Sequence, residues 1–164
     1  MTKPSDHQQA YPSLQLATKI AVGDLSEDQA QMIAARRLDD LSDKLCRAQS
    51  LNWFKKLIRP PQPVMGLYLY GGVGRGKTML MDMFVNSLPH HATAPTVWRL
   101  HFHDFMVLAQ DNIHAARQAD HEDPIEAAAE MLAARGQVIC FDEMEVRDIA
   151  DAMILARLFS SLLA

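Results

Sequence analysis

The spacing of apolar residues changes character once along this chain, and the change divides it. Behind Ser26, the residues Ala34, Leu38, Leu41, Leu45 and Ala48 recur at alternating steps of four and three. That is the stripe of an amphipathic helix packed on something. Ser26 and Gln29 have the spacing of a capping box, in which each side chain satisfies the other's exposed backbone N–H. Trp53, Phe54, Leu57 and Ile58 extend the apolar surface up to RPPQP, residues 59–63, whose three prolines stop the helix and mark a linker. Residues 1 to about 23 are polar and mixed, with Pro4, Pro12 and Gly23, and read as a flexible lead-in with at most local structure.

Beyond the linker the pattern becomes an alternation of short apolar runs and helical stretches. MGLYLY, residues 65–70, reads as a buried strand, and KTMLMDMFVNSL, residues 77–88, is apolar nearly all round except Asp82, as a core helix would be. Pro89 ends it. TVWRLHF, residues 96–102, predicts a second strand, and Asp104 to about Ala119 a helix. Asp123 then caps a helix with Pro124 at its first position and Glu126 completing a capping box; Gly136 terminates it. Gln137–Phe141 predicts a third strand. Asp148 caps a last helix with Ile149, Ala152, Met153, Ala156, Phe159 and Leu163 among its apolar positions. Strands alternating with helices indicate an α/β fold with a parallel sheet. The expected organisation is a lead-in over 1–25, a helix and Pro-rich linker over 26–63, and an α/β domain over 64–164.

Composition narrows the function classes. The 164 residues are 49% apolar and 22% charged, the profile of a globular domain. With 16 basic and 20 acidic residues the net charge is -4, which argues against a dedicated nucleic-acid binder. The only basic cluster, Lys55, Lys56 and Arg59, reads as a solvated helix end. Cys46 and Cys140 form neither a disulfide framework nor a metal-ligand set and read as small core residues. No apolar run approaches a membrane span, and MTKPSDHQQAYPS has no secretory-type segment, so a cytoplasmic protein is expected.

The candidate chemistry begins at GGVGRGKT, residues 71–78, which fits G-x-x-x-x-G-K-[ST]. Gly71 and Gly76 let the backbone take conformations that a Cβ forbids, and Gly72 and Gly74 loosen the wrap further. The main chain of Gly71, Gly72, Val73, Gly74, Arg75, Gly76, Lys77 and Thr78 would then surround phosphate oxygens at a helix N-terminus. Lys77 would reach the β- and γ-phosphates of ATP, and the Thr78 hydroxyl would be a ligand of Mg2+. Arg75 reads as a solvent-facing loop residue. A dinucleotide-binding G-x-G-x-x-G starting at Gly72 would need glycine where Lys77 stands.

The second element is VICFDE, residues 138–143, an apolar strand ending in two acids. Asp142 would hold the magnesium through its water shell, and Glu143 would orient or deprotonate the attacking water. Such a pair favours an ATPase over a nucleotide kinase, which needs an acceptor pocket. His101 and His103 could share one strand face as metal ligands, but the sequence places no third ligand, and hydrogen-bonded histidines at a strand end are the plainer reading. The ten methionines read as core filler.

Three blocks taken together, GLYLYGGVGRGKTMLMDMF, RLHFHDFM and CFDEMEVRDIADAMILARLF, resemble the ZapE-type cell-division ATPases of bacteria, whose mitochondrial relatives are lactation-elevated ATPases. The resemblance runs from about residue 26 to the end. It implies an AAA+-like ATPase, a homo-oligomer when full length, acting on a protein partner at the division ring or peripherally at the inner membrane. It maps the family's phosphate-loop lysine to Lys77 and its acidic pair to Asp142 and Glu143. Where the family has an aromatic and then a neutral polar residue after that pair, this chain has Met144 and Glu145. The family's sensor strand and arginine finger fall beyond the last helix. In AAA+ sheets that sensor strand lies between the P-loop strand and the acidic-pair strand. The expectation is therefore a sheet incomplete at its C-terminal side, and a 164-residue chain that alone folds poorly and hydrolyses ATP negligibly. The competing readings are a nucleotide-dependent binding module without turnover and a helicase-loader-like AAA+ protein.

Overall fold

The computed structural model describes residues 11–50, 64–91, 93–146 and 148–163. The chain splits into two compact units, residues 1–95 and 96–164. The proposed extension of the first helix through Trp53, Phe54, Leu57 and Ile58, the RPPQP linker and the basic cluster Lys55, Lys56 and Arg59 all lie outside the described residues.

In the first unit, α1 (Pro12–Ala21), α2 (Gln29–Ser50) and α3 (Lys77–Ser87) pack on one another, and a 3-10 turn (Leu88–His90) follows α3. α1 stands where a lead-in with at most local structure was expected. Its stability comes from burial: Pro12 sits at its start, where a missing N–H costs nothing, and Leu16 is 0% exposed. Side-chain hydrogen bonds tie it down. Tyr11 Oη donates to Asp43, Ser13 N–H to Asp39, and the Gln15 amide to the Met83 carbonyl of α3.

The predicted period of α2 is present, but its buried line is displaced. Ala35, Leu38, Ser42 and Cys46 are buried, whereas Ala34, Leu41, Leu45 and Ala48 are only half-buried. A buried serine escapes a sequence stripe because it is polar; here its Oγ donates to the Leu38 carbonyl at 3.0 Å and is satisfied. The helix starts later than the Ser26 box requires. Asp28 caps it, its Oδ1 accepting from Ala30 N–H at 2.8 Å and Gln31 N–H at 3.4 Å.

Residues 65–70 form no strand. Met65 is 81% exposed, Tyr68 66% and Tyr70 87%, which overturns the buried-strand expectation. The physical reason is pairing: a strand needs a hydrogen-bonded neighbour. The two strands described pair with each other.

The second unit is a compact parallel α/β arrangement. β1 (Val97–His101) and β2 (Val138–Asp142) run parallel, with Val97 opposite Val138 and His101 opposite Asp142. Between them in sequence come α4 (Phe102–Gln118) and α5 (Pro124–Ala133), and α6 (Ile149–Leu162) follows β2. Phe102, Phe105, Met106, Ala109 and Ile113 of α4 meet Ala128, Ala129 and Leu132 of α5 and Leu155 and Leu158 of α6. Phe141 projects from β2 into this layer, edge-on to Phe105 at 4.8 Å and to Phe102 at 5.7 Å between ring centroids.

The buried line of α6, Leu155 and Leu158, is again rotated from the apolar positions singled out in the sequence. Ile149, Met153 and Leu163 are 80%, 68% and 60% exposed. α5 begins as predicted, with Asp123 accepting from Ile125 N–H and Glu126 N–H. It ends at Ala133, however, and Gly136 has a different job. A Cβ there would lie 2.9 Å from Trp98 Cβ, so glycine permits the close passage of the chain beside β1.

Candidate nucleotide-binding site

The sequence-predicted site residues fall in both units. Gly71 to Thr78 belong to the first, and Asp142 and Glu143 to the second. Each half is built by local rules.

The phosphate-loop half is a turn fused to the start of α3. Gly71, Gly74 and Gly76 have φ of 148°, 75° and 79°, values that L side chains rarely adopt. Gly76 in the left-handed region is the N-cap of α3, and Leu80 N–H closes the first helical turn on its carbonyl at 3.0 Å. Lys77, the first helical residue, folds back across the loop. Its ammonium donates to the Gly71 carbonyl at 2.9 Å and the Gly72 carbonyl at 2.8 Å. The loop is thus a ring braced by its own cation, with the positive end of α3 beneath it, and Gly71–Arg75 and Thr78 are exposed. Such a cradle suits a polyanion.

Two residues outside the loop hold its second half. The Arg75 guanidinium pairs with Asp28 at 3.1 Å, and the Gln31 side-chain amide donates to the Arg75 carbonyl at 3.2 Å. Sequence reasoning assigned neither Asp28 nor Gln31 a part. Their D-x-x-Q spacing, next to the Ser26–Gln29 box, was the available signal.

The acidic half sits at the carboxyl end of β2, where open parallel sheets bind ligands. Asp142 is largely buried and accepts from Arg99 Nε at 2.9 Å and Nη2 at 3.4 Å. Arg99 lies two residues before the end of β1, and parallel pairing brings it beside Asp142. Its pairing with Asp142 was not anticipated, although an arginine inside an apolar strand was its visible mark. Glu143 is exposed and has φ of 52°, in the left-handed region that a non-glycine residue enters at a cost of about 1–3 kcal/mol. The strand therefore stops at Asp142, and the chain turns so that the two neighbouring acids need not share one direction.

Asp142 and Glu143 line a cleft of about 440 Å³ with His101, His103, Asp104, Glu145 and Asp151. Both histidines border it, but among the described residues no group of three or more His, Cys, Asp and Glu is placed to hold a metal ion. A histidine metal site gains no support. In each unit the candidate ligand is an oxygen donor, the Thr78 hydroxyl in the first and the Asp142 carboxylate in the second, the donor type that a hard cation takes.

Among the described residues no helix is long and apolar enough to cross a membrane. No solved structure matches the chain. Curated relatives do. Over 170 residues it is 36% identical to the cell division protein ZapE of Escherichia coli, covering 96% of this chain and 44% of that protein. It is 41% identical over 111 residues to lactation elevated protein 1 homolog B of Danio rerio, covering 62% of this chain and 21% of that one. An uncharacterized Schizosaccharomyces pombe protein is 44% identical over 107 residues, 63% of this chain and 23% of its own length. The chain thus spans less than half the length of these relatives. The AFG1-like ATPase family model matches residues 10–164, so the chain belongs to the AFG1-like ATPase family.

Proposed function

We propose that this chain supplies the phosphate-binding and water-activating residues of an ATPase that drives remodelling of a protein partner. The reading rests above all on the phosphate loop, with three glycines at positive φ and the Lys77 ammonium drawn across it at the head of α3. Membership in an ATPase family supports it. The loop's main-chain N–H groups and Lys77 bind the polyphosphate, and Thr78 and Asp142 hold Mg2+, which when bound neutralises phosphate charge. Glu143 takes the proton of a water that attacks the terminal phosphorus, while the bond to the leaving diphosphate oxygen breaks. Arg99 keeps the Asp142 carboxylate oriented. The similarity to a protein named for cell division points to a partner of the division machinery, with the full-length protein acting as a homo-oligomer at the division site or the inner-membrane surface.

Two substitutions test this in the full-length protein. Lys77→Ala is expected to weaken Mg·ATP binding at least about 100-fold, the loss of a charged contact to phosphate. Glu143→Gln is expected to leave binding intact and reduce turnover by about 100-fold or more, as removal of a general base does. Calorimetry and phosphate release report the two separately. Unchanged binding in Lys77→Ala would sink the nucleotide site. Normal turnover in Glu143→Gln would refute Glu143 as the general base, and a wild type that binds Mg·ATP without releasing phosphate would be a binding module.

A further inference from the structure

We infer that Gln31, on the first turn of α2, is a positioning residue for the phosphate loop. The inference deepens the reading just given and rests on it. Gln31 touches the loop at one atom that matters. Its side-chain amide donates to the Arg75 carbonyl, 3.2 Å away. The peptide group joining Arg75 to Gly76 is planar and trans, so its carbonyl and its N–H point in opposite directions. Pinning the Arg75 oxygen toward α2 therefore turns the Gly76 N–H away from α2. Gly76 has no side chain and a left-handed φ, so without Gln31 this peptide could rotate at little cost.

Two more observations show that the contact is built. A Cβ on Gly76 would stand 3.0 Å from the Gln31 amide nitrogen, so glycine at this position also leaves room for Gln31 to reach the carbonyl. Asp28, one helical turn before Gln31, does two jobs with one carboxylate. Its Oδ1 caps α2 and fixes where the helix starts, and its Oδ2 accepts from the Arg75 guanidinium at 3.1 Å. Arg75 is thus held by its backbone and by its side chain from a single helical turn. The ion pair, with Arg75 63% exposed, contributes little energy by itself. The Gln31 bond sets the direction of a main-chain donor, and that is where its effect on ligand affinity lies.

The experiment compares the wild type with Gln31→Leu, which keeps the size of the side chain and removes the N–H, and with Lys77→Ala. Without nucleotide, amide hydrogen exchange over residues 71–76 is expected to be several-fold faster in Gln31→Leu, at an unchanged melting temperature. With Mg·ATP, the dissociation constant is expected to rise about tenfold, the equivalent of one charge-assisted hydrogen bond. If exchange in the loop and Mg·ATP affinity both match the wild type, Gln31 does not position the loop. If the loop loosens in Gln31→Leu while neither wild type nor Lys77→Ala binds Mg·ATP, the positioning holds and the nucleotide reading fails instead.

Discussion

Residues 65–70 and residues 138–142 carry the same signature in sequence, a short apolar run that ends where the chemistry begins, yet they meet different fates. VICFD pairs along its whole length with β1 and sends Phe141 into an aromatic cluster. MGLYLY forms no strand and leaves Met65, Tyr68 and Tyr70 largely exposed. Apolar patterning states what a segment would gain from burial, but a strand also needs a partner for every backbone N–H and C=O. The second unit supplies that partner from within residues 96–164. For 65–70 none is present among the described residues. The glycine loop of residues 71–76 nevertheless forms without a strand before it, because it is shaped by glycine conformations, by Lys77 and by α2, all of them local or helical.

The contrast can be tested by substituting one aromatic ring in each region. Phe105 is 0% exposed and packs between Trp98 and Phe141. Phe105→Ala is expected to destabilise the second unit by about 3–5 kcal/mol, enough to abolish its cooperative unfolding transition. Tyr70→Ala, at a site 87% exposed, is expected to change stability by less than about 0.5 kcal/mol. Denaturant melts followed by circular dichroism measure both. A cost for Tyr70→Ala comparable to that of Phe105→Ala would mean that residues 65–70 are packed in solution, and the contrast would be lost.

The same distinction explains what was legible beforehand. The helix starts at Asp123 and Asp148 could be read because a cap is a local device, settled by a carboxylate and the N–H groups two or three residues on. The strands at 97–101 and 138–142 could be read because each has its partner in the other. The glycines and Lys77 were legible as a loop from spacing alone. The exact burial lines of α2 and α6 were not, because a face is fixed by what packs against it. Ser42 is acceptable at the centre only because its hydroxyl reaches Leu38, and Ile149 is left outside only because Leu155 and Leu158 take the interior. Arg99, Asp28 and Gln31 escaped for a related reason. Each acts on a residue far away in sequence, and only the packing reveals the pairing.

The paired strand also predicts an alkaline weakness in the second unit. Burial in β2 pushes the Cys140 thiol from 9.0 up to about 11; Arg99 opposes the rise and Asp142 adds to it. A thiol that holds its proton more tightly when folded contributes stability that is full below pH 9 and is lost as pH rises toward 11, because the unfolded chain ionises first. The loss should reach about 2–3 kcal/mol. Stability curves of wild type and Cys140→Ala between pH 8 and 11 are expected to converge at the alkaline end. Parallel curves would show that the thiol is not held by the sheet.

The smallest effect belongs to the cap of α5, where the second unit depends on one exposed acid. The Glu126 N–H, bonded to its carboxylate, is the main influence holding the Asp123 pKa below 3.8. Partial desolvation opposes this, and the Ile125 N–H and the Arg157 guanidinium at 2.6 Å reinforce it. A lowered carboxylate pKa means stabilisation that is present above pH 3.8 and disappears as pH falls through the folded-state value. Asp123→Ala removes the cap and the ion pair together, and should lower the melting temperature of the second unit by about 4 °C at pH 7. Asp123→Asn keeps an oxygen for the two N–H groups and loses only the charge, so it should fall between the two. Once pH has fallen through the folded-state value the wild type has lost the same charge, and the gap to Asp123→Asn should close while a gap to Asp123→Ala persists. If Asp123→Asn melts with Asp123→Ala at pH 7, the ion pair to Arg157 rather than the cap holds this corner, and α6, which carries Arg157, becomes the element on which the start of α5 depends.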